Sequence, residues 1–529
     1  MKYEEGDIVM NVWSRKIVAY ILLLMMSMVL VPFSALATNT DVVEISTAEE
    51  LWEFAGKVNG GQTSLNAKLM DDIVFNENVL GADGYLNTGN YDVWKPIGTV
   101  EKSYSGTFDG NNKTISGLYF DDYQCDIGLF GVVKDGTIKN VKLTDSYFYG
   151  DAGVGGIVGS IENGTVTDCS SSAFLKSNSD NVGGIAGVCF GATIKNCSNS
   201  GSIDAGGSNI GGVVGSNFAG DSYPVGIVEN CYNTATKVGG YGTIGGVVGL
   251  NEAYSDNAKS TVKKCYNVGW VDAFDSNAGG VVGQNNASSD NAKAIIEECY
   301  NQGKVSASGW HVAGVVAENY AWSETASATV KNCYSTGEFS ENEESGGVAG
   351  ISEGYNGCVL VKIENCYYLD DSKFVFGGIG GVDYLGSAEV KTTEEFESGE
   401  VAYLLGLSYG QNIDNGLTVQ TAPVLDGAKV FSYLEGYSNH PYGFTLLDKT
   451  NKVVTVHVPE AGNYSVIFAD YNSKKVLQKL AVIPLTATGE GDYKITENTS
   501  SMVIEEGDKI MLWDSLDNCT PLCNGYTLK

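Results

Sequence analysis

Seven cysteines at near-constant spacing constrain this chain more than any other feature: Cys169, Cys197, Cys231, Cys265, Cys299, Cys333 and Cys366. The gaps between them are 28, 34, 34, 34, 34 and 33 residues. Most sit in Asn-Cys-Tyr-Asn or a near copy, and each follows a glycine-flanked apolar pair. Self-similarity at this period is the signature of a repeat architecture, in which every unit buries its apolar face against its neighbours.

The glycine element begins as Ile127-Gly-Leu-Phe-Gly131 and recurs as Gly155-Gly-Ile-Val-Gly159, Gly183-Gly-Ile-Ala-Gly187, Gly211-Gly-Val-Val-Gly215, Gly245-Gly-Val-Val-Gly249, Gly279-Gly-Val-Val-Gly283, Ala313-Gly-Val-Val-Ala317 and Gly346-Gly-Val-Ala-Gly350. Val141 stands in the cysteine's place in the first copy. A third segment follows, such as Gly201-Ser-Ile-Asp-Ala205 or Gly303-Lys-Val-Ser-Ala307. Three short strands with turns in 28 to 34 residues predict one coil of a three-sided parallel β-helix. Successive coils stack at about 4.8 Å, so roughly ten give a rod of about 45–50 Å. Side chains alternate faces along a strand. If the cysteines point inward, Tyr232, Tyr266, Tyr300, Tyr334 and Tyr367 form an outer column. Asn199, Asn233, Asn267 and Asn301 fall at the next turn, where asparagine tolerates left-handed backbone and bonds its own main chain.

The repeat lengthens from 28 to 34 residues between the glycine and cysteine elements. The added segments, 217–226, 251–260, 285–294 and 319–328, must leave one corner of the coil, giving a row of loops. They carry Phe218, Tyr223, Tyr254, Tyr320 and Trp322, with Asp221, Asp256, Asp290 and Glu324. Clustered exposed aromatics mark docking surfaces. The candidate binding residues are therefore Tyr232, Tyr266, Tyr300, Tyr334, Tyr367, Tyr254, Tyr320 and Trp322, with stacking for stability as the alternative role of the column.

The N-terminus reads as a secretory leader, residues 1–37. Arg15-Lys16 precedes an apolar run from Ile17 to Val31, then Ala35-Leu36-Ala37; the run is shorter than the ~20 residues that span a bilayer. Met1 or Met10 is the start. Ser46-Thr-Ala-Glu49 has the form of a capping box. It opens a short helix to about Val58, with Leu51, Trp52, Phe54, Ala55 and Val58 as its apolar stripe. This N-terminal cap occupies 38–62. The solenoid follows at 63–390. Thr392-Thr-Glu-Glu395 opens a second helix to about Leu407, read as the C-terminal cap within 391–440. From 441 to 529 the period vanishes, and period-two segments such as Val453–Val458 and Tyr464–Phe468 predict a small antiparallel β-sandwich.

The chain carries 64 acids against 32 bases, a net charge of −32, and Arg15 is its only arginine. That balance argues against nucleic acid or anionic membrane as partner, since neutralising phosphate needs clustered Lys and Arg. Exported cysteines pair by default. Stacked neighbours, however, hold their Cβ vectors nearly parallel, which suits a disulfide poorly, so the column reads as buried thiols. Cys519 and Cys523 lie four apart outside the rod and read as free thiols, with a local disulfide as the alternative. No clustered ligands suggest a metal site; Ser-Asp-Asn-Ala-Lys at 255–259 and 289–293 reads as a recurrent turn, with Ca²⁺ through oxygens as the alternative. No cofactor is expected. His311, His440 and His457 are isolated in sequence. Asp204 and Asp272 match in position two repeats apart with Val238 between them. No catalytic constellation emerges.

The glycine and Asn-Cys-Tyr-Asn elements, with the lead-in Tyr104-Ser-Gly-Thr-Phe-Asp-Gly110 and Thr114-Ile-Ser-Gly-Leu118, resemble the GLUG-motif family of bacterial secreted and surface proteins over about residues 90–370. The resemblance implies a right-handed all-β solenoid in adhesin-like proteins and transfers no catalytic residue. Lys509-Ile-Met-Leu-Trp-Asp-Ser-Leu516 with Pro521-Leu-Cys523 resembles a C-terminal β-module of clostridia-like secreted proteins, from which Cys519 departs. The expectation is a secreted or cell-envelope protein, monomeric, with an adhesive or structural role and a glycan or protein partner. The alternative is a polysaccharide-processing β-helix enzyme.

Overall fold

The computed structural model describes residues 42–274, 276–309, 311–339, 345–358, 360–369, 377–380, 387–411, 420–425, 442–448, 453–472, 476–496, 508–514, 521–522 and 526–527. The expected leader, His440, Cys519 and Cys523 lie outside the described residues.

The repeats fold as a parallel β-helix, but each coil feeds five ladders rather than three. In one coil the strands are Val154–Gly155, Val158–Glu162, Thr165–Thr167, Ser170–Ser171 and Phe174–Ser177. The corresponding parallel sheets hold seven, eight, eleven, eleven and seven strands. An eleven-stranded sheet spans about 48 Å at the usual spacing.

The extra ladders arise because two sides of the coil bend at fixed points. On the cysteine side, the residue before each ladder residue is left-handed: Asn140, Asp168, Asn196, Asn230, Lys264, Glu298, Asn332 and Asn365 all have φ between 50° and 56°. Asparagine and aspartate take this conformation at low cost. Lys264 and Glu298 adopt it too, so the coil imposes the bend even where the side chain does not favour it.

The bend turns the cysteines inward. Cys169 through Cys366 are all buried, and all seven are free thiols. The thiol of Cys265 donates to Lys263 O at 3.1 Å, and its amide donates to Cys299 Sγ at 3.4 Å. Burial pushes the thiols of Cys169, Cys231, Cys299 and Cys366 well up, and all seven sulfurs are enclosed in the core, where a reagent in solution does not reach them. Cys125, by contrast, is exposed. Maleimide labelling of native protein should therefore modify Cys125 and leave the seven ladder cysteines untouched until denaturant is added. Peptide mapping by mass spectrometry reads this directly, and native labelling at Cys265 would contradict the packing.

Asn199, Asn233, Asn267 and Asn301 are not in left-handed turns. They end short strands, are fully buried, and form an amide ladder. Successive Nδ2-to-Oδ1 bonds measure 3.1, 2.8 and 2.9 Å. Each amide also holds its own main chain as expected: Asn267 Nδ2 donates to Gly269 O at 2.9 Å, and Gly269 N donates to Asn267 Oδ1 at 3.1 Å. This ladder explains the second glycine of each pair. A β-carbon at Gly280 would overlap the Gly314 carbonyl and the Asn301 amide. The first glycine gives way to Ala313 in one coil, whereas Gly314 is kept.

Helix α1 spans Ala48–Asn59 and buries Leu51, Phe54, Ala55 and Val58. Its capping box is Thr47 with Glu50, one residue later than the sequence pattern suggests. Trp52 leaves the expected stripe and is 43% exposed. The second helix is broken into α2 (Thr393–Glu397) and α3 (Glu400–Leu405) at Gly399, whose φ is 88°. Thr392 and Glu395 form its capping box as expected.

Residues 443–527 contribute two antiparallel sheets of three and four strands. One buried cluster joins them, including Phe444, Val454, Val456, Val466, Phe468, Ile510 and Leu512.

Candidate binding edge

The residues that lengthen the repeat do not form free loops. They extend both strands that meet at one corner. The glycine-side strand grows from Ala186–Phe190 to Val214–Ala219, and the facing strand grows from Thr193–Lys195 to Val225–Glu229. The result is a strand-paired ridge. Its interior is a thin layer of alanines, including Ala219, Ala253, Ala287, Ala294, Ala321 and Ala328. A second buried amide ladder begins where the ridge begins. Asn217 takes the register position of Cys189, and Asn217, Asn251, Asn285 and Asn319 are linked at 2.8, 2.7 and 2.8 Å. Asn285 also bonds Ala294 O across the ridge at 3.1 Å. Small side chains, mostly alanine, fill the layer between the facing strands, and asparagine satisfies main-chain carbonyls that an apolar layer would strand.

The crest of the ridge is one residue per coil. The amides of Tyr254, Ser288, Trp322 and Tyr355 donate to Ala219, Ala253, Ala287 and Ala321 respectively, at 2.8–3.0 Å. These four residues therefore stand in line. Tyr254 is 42% exposed and Trp322 is 39% exposed. Trp322 stacks on Tyr355 with ring centroids 4.1 Å apart and planes 13° apart. Tyr320 supports both rings from the side at 6.0 and 5.7 Å, and is itself buried, so its role is to hold the crest rather than to meet a ligand. Phe190, Phe218 and Tyr254 continue the aromatic line at 5.4 and 6.2 Å. Tyr223 turns back and donates to Glu162 at 3.2 Å.

The acids near this edge are engaged locally. Glu252 accepts from Asn286 and Ser288 at 2.8 and 2.7 Å. Ser323 donates to Asp290, and Tyr355 donates to Glu353. The Glu353 carboxylate, with burial, pushes the Tyr355 hydroxyl up to about 12. Asp256 and Glu324 are exposed. The two Ser-Asp-Asn-Ala-Lys copies are matching turns with Asn257 and Asn291 left-handed, closed by Ala258 N to Ser255 O and Ala292 N to Ser289 O, each 3.1 Å. Among the described residues no three His, Cys, Asp or Glu side chains converge on a metal position.

The outer tyrosine column exists but is mostly covered. Tyr232, Tyr266, Tyr300, Tyr334 and Tyr367 share one register, and the first four rings stack at 4.9, 4.9 and 5.1 Å. Tyr300, Tyr334 and Tyr367 are buried in a cluster with Phe396, Val401, Leu405, Tyr409 and Ala422. Helices α2 and α3 thus brace the side of the rod. Tyr409 anchors the return segment by donating to Cys299 O and Asn332 O at 3.2 and 3.0 Å. Only Tyr232 and Tyr266 keep partial access to solvent.

Two register corrections bear on catalysis. Gly239, not Val238, lies between Asp204 and Asp272. His311 is not isolated: its Nδ1 lies 3.0 Å from Glu318 Oε1, as His457 Nδ1 lies 2.8 Å from Asp492 Oδ1. Asp272 accepts from Ser306 at 2.8 Å and pairs with Lys237 at 2.7 Å, beside the exposed Trp270 and Phe274. Neither Tyr355 nor Trp270 stands out in the repeat pattern. Alternation in Trp270-x-Asp272-x-Phe274 was the available signal for the latter.

A family model, the GLUG motif, matches residues 206–239. This stretch is a GLUG motif. It runs from the end of one third-side strand to the next, through the glycine pair, the first ridge and Cys231, so one motif equals one full coil. Register carries the GLUG pattern into its neighbours, since Gly211, Gly245 and Gly279 pair in succession. No curated protein matches the chain. A crystal structure from Bacteroides ovatus, named as that of a candidate immunoglobulin A1 protease, aligns with 74% of this chain and 93% of its own. Its identity is 17% and its TM-score 0.35.

Proposed function

We propose that this β-helix protein is exported and serves an adhesive or structural role, binding an extracellular glycan or protein along the ridge crest. The observation that carries the reading is the crest of the strand-paired edge, where Tyr254 and Trp322 are exposed two coils apart and half-buried Tyr355 stacks on Trp322 in the next coil. A flat aromatic face offers apolar contact to sugar rings or to a partner's side chains at little entropic cost, because the supporting strands are already ordered. Binding is favoured over catalysis because Glu252, Asp290 and Glu353 at this edge are tied to neighbouring side chains.

A glycan array probed with the full chain tests the reading, with turnover assayed on each hit. Trp322→Ala is expected to weaken a ridge ligand by tenfold or more, in line with a loss of ~1.4 kcal/mol or more for a central aromatic contact. Melting should change little, since Trp322 lies on the surface. Depolymerisation of a bound glycan would replace this reading with the enzymatic one.

A further inference from the structure

We infer that the N-terminal cap carries a second, separate binding site, for an oligosaccharide of amino sugars. Trp52 is the starting point. Leu51, Phe54, Ala55 and Val58 of α1 are buried, whereas Trp52 faces out. Its ring stacks on Phe75 with centroids 5.7 Å apart and planes 25° apart. Both meet Trp94 edge-on, at 6.0 and 5.4 Å. Trp94 is buried, and its indole N–H donates to Gly128 O and Leu129 O at 3.2 and 3.3 Å. The floor of the site is therefore fixed before any ligand arrives.

This aromatic floor opens on a cavity of about 630 Å³ lined by Ala48, Glu49, Trp52, Glu53, Phe75, Asp92 and Val93. The Asp92 main chain is pinned by Asn76, whose amide bonds Asp92 N and Asp92 O at 2.8 and 3.0 Å. The volume falls within the range of small-ligand sites and exceeds what a single ammonium side chain needs. Stacked rings suit the C–H face of a pyranose. Three carboxylates line the cavity, and no base does among the described residues; Glu53 has a distant partner in Lys57 at 3.8 Å. Carboxylates accept from sugar hydroxyls, and an ammonium on the sugar supplies the charge they lack while also meeting the indole face.

The test is calorimetric titration of the full chain with a glucosamine tetramer, its N-acetylated counterpart and tetralysine. The glucosamine tetramer should bind. Trp52→Ala should weaken it at least tenfold with an unchanged melting curve. Combined Glu49→Gln, Glu53→Gln and Asp92→Asn should weaken it several-fold while abolishing its salt dependence. Trp322→Ala should leave it unaffected, which separates this site from the ridge. Equal binding of tetralysine would overturn the sugar assignment, and equal binding of the N-acetylated tetramer would overturn the role of charge. Indifference to Trp52→Ala, or no binding at millimolar concentration, would remove the site.

Discussion

Tyr334→Ala should cost about 3–5 kcal/mol, the range for deleting a large buried aromatic, while Tyr232→Ala should cost under ~1 kcal/mol. The two residues occupy the same position in their coils, so the contrast isolates what covers them. Tyr334 is fully buried. Its ring lies 5.1 Å from Tyr300, 5.7 Å from Phe396 and 5.8 Å from Tyr409, and its hydroxyl donates to Pro423 O. Removing it opens a cavity between the rod and the α2–α3 brace. In a solenoid such a loss is felt locally, because each coil contacts only its neighbours. The brace should therefore detach first, and limited proteolysis within 393–425 should accelerate before the coils unfold. Tyr334→Phe keeps the ring and leaves the Pro423 carbonyl without its donor, at about 1–3 kcal/mol. Urea titration monitored with proteolysis distinguishes the three variants. Equal losses for Tyr232→Ala and Tyr334→Ala would mean that the brace does not seal the column.

The fold was legible because a solenoid repeats its constraints. Cys231 and its equivalents marked the inner face, and the alternation to Tyr232 marked the outer one, with no knowledge of what lies beyond a single coil. What covers a face is a different kind of information. Tyr300, Tyr334 and Tyr367 are buried by Phe396, Val401, Leu405, Tyr409 and Ala422, which sit at no fixed distance from them in sequence. The ridge is hidden in the sequence for a related reason. Six added residues at a corner look like a loop when the coil is taken alone, but four successive coils add them together, so their main chains pair. The alanines at 219, 253, 287 and 321 were the available sign of that pairing, since a loop has no use for a regular small residue. Trp52 shows the limit at the scale of one helix: it shares the apolar stripe by spacing, and only the position of Phe75 and Trp94 decides that it faces outward.

Asn267→Asp should be the most disruptive conservative change in the rod, at about 3–5 kcal/mol near neutral pH, the cost of an uncompensated buried charge. Asn267 is fully buried. Its Nδ2 donates to both Asn301 Oδ1 and Gly269 O, and its Oδ1 accepts from Asn233 Nδ2 and Gly269 N. A carboxylate keeps the accepting half of this set and sets negative charge against two acceptors. Burial and the missing donors raise the folded-state pKa of the introduced carboxyl above its unfolded value of about 3.9. Below that value both states are protonated, and the acid can still donate one bond to Asn301. As pH rises, the unfolded state releases its proton first. Stability relative to the parent then falls by ~1.4 kcal/mol per pH unit until the folded-state pKa is passed. The gap between variant and parent should therefore widen from pH 4 towards pH 7, as read by paired urea titrations. A gap that stays flat with pH would mean that water reaches the amide ladder at Asn267, and that its burial does not hold the coil in register.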